Sequence, residues 1–300
     1  MEILVFIKSG LDVNVSLKPT PEGRGLIQEE PYPIWRMAPD DRAALEEAVR
    51  IREALGSGRV TAVAAGPRKQ DRALSYCLAR GVERAVRIEL EDSAYQDAFA
   101  VARIWEKAAR KLDYGLIFCG NKNWNPNSSQ TPVILAEYLG IPSITRVVKA
   151  EIQGQSALRV QRRLEKGDRE ILECPLPAVL AVDHLVPEPR YVSVNALMIS
   201  DRQPIPAWDL ANLGLNPAEL KARTRLQALE PPRPRPKKIQ APDASLSADQ
   251  KINLLLSGGI AQDKKKGGSD FVKGKPEQVA EEIIKFFREK GIDLSRAGTK

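Results

Sequence analysis

The 300-residue sequence predicts an α/β protein: a doubly wound, mainly parallel sheet with an edge β-hairpin and an extended C-terminal arm. Short apolar runs alternate with helical periodicities in the first half of the chain. Strands linked by helices can bury both faces of a sheet only when they run mainly parallel, with right-handed crossovers. Two strand-like segments then flank Glu165-Lys166-Gly167-Asp168 and read as a hairpin. Past residue 200 prolines crowd the chain, each lacking an N–H donor and fixing φ.

Residues 2–8 form an apolar strand. In residues 43–55, Ala44, Ala48, Ile51 and Leu55 recur at helical spacing, with Asp40 or Asp41 as the expected N-cap and Gly56 as the stop. Residues 59–65 read as a buried strand broken at Gly66-Pro67, and residues 70–80 as a helix closed by Gly81. Residues 84–90 are the next strand, 93–111 a helix with Phe99, Ile104 and Ala108 inward, and 114–119 a strand ending at Gly120. The hairpin strands are 157–164 and 169–174, and 177–183 returns as a buried strand.

Three regions follow: an α/β domain over 1–200, a proline- and lysine-rich arm over 201–275, and a C-terminal helix and tail over 276–300. The last helix starts at Pro276, which suits a first helical position. It sets Val279, Ile283, Phe286 and Phe287 on one stripe that calls for a surface to lie on.

Composition narrows the function classes. An apolar share of 43% with 28% charged residues fits a globular protein, and no apolar run approaches the roughly 20 residues of a membrane span. The N-terminus enters an apolar strand at once, without a charged leader, so a cytoplasmic location is expected. Cys77, Cys119 and Cys174 lie far apart without a CxxC spacing and read as buried reduced thiols, not as a zinc site or disulfide framework. The single histidine, His184, excludes a multi-His metal site or relay. The net charge of +7 is concentrated in the last third without interleaved stacking aromatics, which reads as solvated charge and not as a nucleic-acid surface.

Ligands of open α/β sheets bind beyond the carboxyl ends of the strands. Three stretches have that address: the one after the first strand, Gly66-Pro67, and the loop Gly120-Asn121-Lys122-Asn123-Trp124-Asn125-Pro126-Asn127-Ser128-Ser129-Gln130-Thr131. That loop is rich in amides and hydroxyls and runs into a helix, an arrangement that can hold a phosphate or can serve only as turn and cap. Neither GxGxxG nor GxxxxGK[ST] occurs.

Ile7-Lys8, Pro39-Asp40-Asp41 with Ala44-Leu45-Glu46-Glu47-Ala48, and Ala65-Gly66-Pro67 are followed by the Gly120 to Thr131 loop and Ala136-Glu137-Tyr138-Leu139-Gly140-Ile141-Pro142. Leu176-Pro177-Ala178-Val179 and Glu188-Pro189-Arg190-Tyr191 complete the series. In this order and at these intervals the sequence resembles the electron-transfer flavoprotein beta (small) subunit family.

The resemblance implies an electron-carrier subunit without catalytic residues of its own. It implies a heterodimer with an alpha subunit that holds most of the FAD, with AMP or a second FAD on this chain. Flavin dehydrogenases are the implied donors, and a quinone reductase, ferredoxin or bifurcation acceptor lies downstream. Carried over by position, the nucleotide contacts fall at Phe6, Ala38 to Asp41 (with Pro39 and Asp40 between), Ala65, Gly66 and Gly120 to Thr131. Ala38 stands where the family has Asn, and Asn125-Pro126-Asn127 where it has two aspartates. The resemblance also places a partner-recognition segment at Tyr191, Val194 and Leu197, side chains that can alternatively pack on the subunit itself. A stand-alone adenine-nucleotide sensor or hydrolase, and a structural subunit that has lost its nucleotide, are the other readings.

Overall fold

The computed structural model describes residues 1–12, 17–21, 26–28, 35–90, 97–122, 129–154, 156–185, 189–220, 223–224, 227, 246–256 and 276–289. The chain divides into two compact units, Met1–Pro232 and Arg233–Lys300.

The first unit carries, in chain order, strands β1 (Glu2–Ile7), β2 (Ser9–Leu11), β3 (Leu17–Pro19), β4 (Leu26–Gln28) and β5 (Trp35–Met37), helix α1 (Pro39–Leu55), β6 (Arg59–Gly66), α2 (Asp71–Ala79), β7 (Arg84–Glu89), α3 (Ala98–Lys111), β8 (Leu116–Gly120), α4 (Thr131–Leu139), β9 (Ser143–Gln153), β10 (Ala157–Arg163), β11 (Arg169–Pro175), β12 (Ala178–Val182), α5 (Val194–Ser200) and β13 (Ala207–Trp208). Nine of these strands form one sheet in the order β11-β10-β9-β12-β8-β1-β6-β7-β13. From β9 through β12 to β13 the pairs are parallel, and β9, β10 and β11 pair antiparallel at one edge. The mainly parallel sheet with an edge hairpin is the expected one.

Both faces of the central strands are covered, which is why they read as unbroken apolar runs. Along β1 the side chains alternate: Ile3, Val5 and Ile7 enter the core under α1 and α2, while Leu4 and Phe6 enter the core under α3. Gly56 ends α1 with φ 64° and bonds back to the carbonyl of Glu53, the left-handed turn that glycine supplies at least cost.

Several elements differ from the expectations. The N-cap of α1 is Ala38, not Asp40 or Asp41, and no side chain caps it. Pro39 is preset for the first helical turn, so the helix starts there and both aspartates fall inside it. Helix α3 begins at Ala98, capped by Asp97, whose Oδ1 accepts from the amides of Phe99 and Ala100; residues 91–96 lie outside the described residues. The 143–153 strand was not anticipated, because its apolar positions keep neither a continuous run nor a clean alternation. Past residue 200 the ladder was expected to cease, yet Ala207–Trp208 pairs with β7, and Leu213 and Leu215 join the core.

The second unit contains α6 (Ala248–Leu256) and α7 (Pro276–Glu289). Helix α7 starts at the anticipated proline, and Ile283, Ile284 and Phe286 are exposed on it. Among the described residues no helix is long and apolar enough to cross a membrane.

Candidate functional site

The order of the sheet reverses between β1 and β8: from β1 the chain builds outward to β6 and β7, and from β8 to β12 on the other side. Such a switch point opens a crevice at the carboxyl ends of the strands. Pairing of β2 with β5 sets Ser9 opposite Met37 and so returns the chain to the end of β1, where α1 begins.

The first turn of α1 is bonded into this edge. Asp41 is 1% exposed; its Oδ2 accepts from the amide of Lys8 at 3.1 Å and its Oδ1 from the amide of Gly120 at 3.0 Å. Burial pushes its carboxyl up to about 8, with the two amides acting in the opposite sense. Asp40 accepts from the amide of Lys122 at 2.8 Å on Oδ2 and from that of His184 at 3.1 Å on Oδ1, with the His184 ring Nδ1 3.0 Å away. Its carboxyl is raised too, chiefly by burial. All four oxygens of the two carboxylates therefore accept main-chain N–H groups, and they join the ends of β1, β8 and β12.

Neighbouring side chains complete the edge. Asp183 accepts from Arg163 at 2.7 Å and from the amide of Leu185 at 3.2 Å. Asn121 is buried, donates its amide to the carbonyl of Val182 at 2.8 Å and accepts from the amide of Arg146 at 3.2 Å. Gln70, in the turn after β6, ties that turn to β2 by accepting from the amide and hydroxyl of Ser9, at 3.0 and 2.6 Å. Sequence reasoning missed Ser9, Gln70, Asp183 and His184; the only signal was that Asp183 and His184 end a strand-like run.

The anticipated nucleotide positions distribute as follows. Phe6, Ala65, Gly66 and Gly120 sit at the carboxyl edges of three adjacent strands, β1, β6 and β8. Phe6 is fully buried and stacks on Trp105 at 4.8 Å, and Ala65 is buried in the same core. Ala38 is buried, Pro39 half-buried, and Asp40 and Asp41 face main-chain amides. Lys122 and Gln130 are exposed, Ser129 is half-buried with φ 52°, and Thr131 is buried at the start of α4. Asn123, Trp124, Asn125, Pro126, Asn127 and Ser128 lie outside the described residues.

The three stretches proposed from sequence lead into helices α1, α2 and α4, and among the described residues none of these has a side-chain N-cap; the short 3-10 turn Arg68–Gln70 that precedes α2 has none either. Helices α3 and α5 do have one, from Asp97 and Ser193. Uncapped first-turn amides carry partial positive charge and accept an anion readily.

A second region lies on the α2 side. Of the expected partner-recognition segment, Val194 and Leu197 fall in the short helix α5 (Val194–Ser200), packed against α2, and Tyr191 precedes it. Tyr191 is 87% and Val194 64% exposed, Met198 and Ile199 are each 55% exposed, and Leu197 is half-buried. Just before them, the Arg190 guanidinium donates to both oxygens of Glu53, at 2.7 and 2.9 Å, and through Nε to Glu46 at 2.9 Å. Glu53 is held below the usual carboxylate range by Arg190.

A mainly parallel sheet whose strand order reverses between β1 and β8, with helices on both faces, defines a doubly wound α/β protein. Residues 30–213 match the electron transfer flavoprotein domain model. The electron transfer flavoprotein subunit beta of Thermoanaerobacterium thermosaccharolyticum is 38% identical over 197 residues, covering 66% of this chain and 74% of the relative. That of Bacillus subtilis is 31% identical over 227 residues (74% and 86%), and the mitochondrial subunit beta of Arabidopsis thaliana 30% over 234 residues (78% and 90%). The chain belongs to the electron transfer flavoprotein beta-subunit family, a family of electron-transfer proteins.

Proposed function

We propose that this chain is the small subunit of a heterodimer with an electron transfer flavoprotein alpha subunit, and that it binds AMP or a second FAD at the switch-point edge. The observation that supports this reading is that the N-termini of α1 and α4, at the carboxyl edge of the sheet, have no side-chain cap among the described residues. A nucleotide phosphate is an acceptor of the kind that helix first-turn amides favour. A bound FAD would supply the redox chemistry, and the protein residues would hold and orient it without acid, base or nucleophilic work.

Within this reading, Asp40 and Asp41 fix the strand ends that form the floor of the site. The main chain at Phe6, Ala65, Gly66, Gly120 and Asn121 lines it. Flavin dehydrogenases deliver electrons by docking on Tyr191, Val194 and Leu197, supported by the exposure of Tyr191 and Val194. A small apolar anchor on a short helix suits a transient redox contact. The C-terminal unit then serves as the arm, the exposed stripe of α7 lying on the alpha subunit in the cytoplasm.

The test is the nucleotide content of this chain purified with its large subunit. Two flavins per heterodimer assign FAD to this chain, and one flavin with one AMP assigns AMP. A heterodimer with one flavin and no AMP supports a structural subunit without nucleotide, and failure to pair with any alpha subunit overturns the proposal.

A further inference from the structure

Arg190 uses its whole guanidinium edge. Its Nη1 and Nη2 meet the two oxygens of Glu53 in a fork-to-fork pair, its Nε donates to Glu46, and its main-chain amide donates to the other Glu46 oxygen at 3.2 Å. Glu46 and Glu53 are seven residues apart on α1 and so lie on one stripe of the helix. Glu46 is buried and also accepts from Arg80, at the end of α2. A single carboxylate thereby joins α1, the end of α2 and the chain entering α5. The next residue is Tyr191, followed within three positions by Val194, and α5 beyond them is only seven residues long. A helix that short holds no conformation by itself.

We infer that Arg190 is the positioning residue of the docking segment, its clamp on Glu46 and Glu53 fixing where the exposed side chains of Tyr191, Val194 and Met198 stand for a donor flavoprotein. This rests on the docking reading proposed above. Lysine cannot take its place, since one ammonium cannot serve the Glu53 fork and Glu46 together. Loss of Arg190 leaves the fold intact, because Glu46 keeps Arg80 and the half-exposed Glu53 is solvated.

The experiment uses the heterodimer with its large subunit and, as donor, a purified flavin dehydrogenase that reduces the wild-type complex. The variants are Arg190→Ala, Arg190→Lys, Glu53→Ala and Val194→Asp. Expected are a rise of about tenfold in the donor concentration at half-maximal rate for both Arg190 variants, a smaller rise for Glu53→Ala, and an unchanged maximal rate. Amide exchange over residues 192–200 should quicken in the Arg190 variants while that of α1 and α2 stays as it was. If Val194→Asp weakens docking and neither Arg190 variant does, the inference is overturned and the docking reading stands. If none of the four changes half-saturation, both fall. Rescue by lysine to wild-type behaviour also overturns the inference, because charge alone would then suffice.

Discussion

Asp41 and Gly120 are in direct contact across the switch point: the aspartate Oδ1 accepts the glycine amide at 3.0 Å, and a β-carbon on residue 120 would lie 2.2 Å from that oxygen. The same β-carbon would stand 2.8 Å from the Asp41 main-chain nitrogen, so rotating the carboxylate away would not relieve the clash. Residue 120 has to be glycine for α1 to approach β8 this closely.

Gly120→Ala should therefore destabilise the protein by about 1–3 kcal/mol, the cost of forced displacement in a packed site. Denaturant unfolding reads it directly. A change below a few tenths of a kcal/mol would show that α1 does not sit where the Asp41 bond requires.

Asp41 should also impose a pH dependence. Its carboxyl stands at 3.8 when unperturbed and at about 8 when buried in the fold. Below the first value both states carry the proton and its contribution is fully present. As pH rises toward 8 the unfolded chain ionises first, so stability falls, by at most about 1.4 kcal/mol per pH unit from this one group. In Asp41→Asn this slope should vanish, and its deficit against the wild type should shrink from pH 5 to pH 8. A deficit that grows over that range would mean the carboxylate is favoured in the fold.

Trp105 stacks on Phe6 and is buried, yet its indole nitrogen has no hydrogen-bond partner among the described residues. Its contribution is thus packing area and ring contact. Trp105→Ala should cost about 3–5 kcal/mol, whereas Trp105→Phe should cost clearly less, since no hydrogen bond is lost and an unpaired buried donor is removed. Thermal unfolding of the two variants decides it: equal losses would show that the indole N–H does have a partner.

Two buried glutamates should respond differently to the same substitution. Glu106 lies between Arg103 and Arg110, whose side chains are 38% and 53% exposed, so Glu106→Ala should cost about 1 kcal/mol after solvent screening. Glu46 accepts from Arg80, whose side chain is 1% exposed, and Glu46→Ala strands that charge at a cost of about 3–5 kcal/mol. Urea unfolding of both should give that order; the reverse would contradict the burial of Arg80.

Much of the molecule was legible in one dimension. The runs that became β1, β6, β8 and β12 are continuous and apolar because both their faces are covered, a condition that leaves its mark on every residue. Glycines at 56, 81 and 140 and the proline at 276 stand where the helices stop and start, because φ restrictions act locally. The succession of β1, β6, β8 and β12 with their helices follows from that alternation.

What remained was settled by contacts between residues far apart in sequence. Asp40 and Asp41 have the look of helix caps, and Pro39 moves them one step into the helix, where their carboxylates meet amides from Lys8, Gly120, Lys122 and His184. Arg190 and Glu53 are separated by 137 residues and meet only because α1 and the chain before α5 share a side of the sheet. The sequence by itself determined the alternation of strands and helices, and with it a parallel sheet and a crevice, because burial on two faces and backbone sterics are local and periodic demands. Tertiary structure alone decided which amides the buried carboxylates would serve, because a hydrogen-bond acceptor taken out of water bonds to whatever donor the fold brings within about 3 Å.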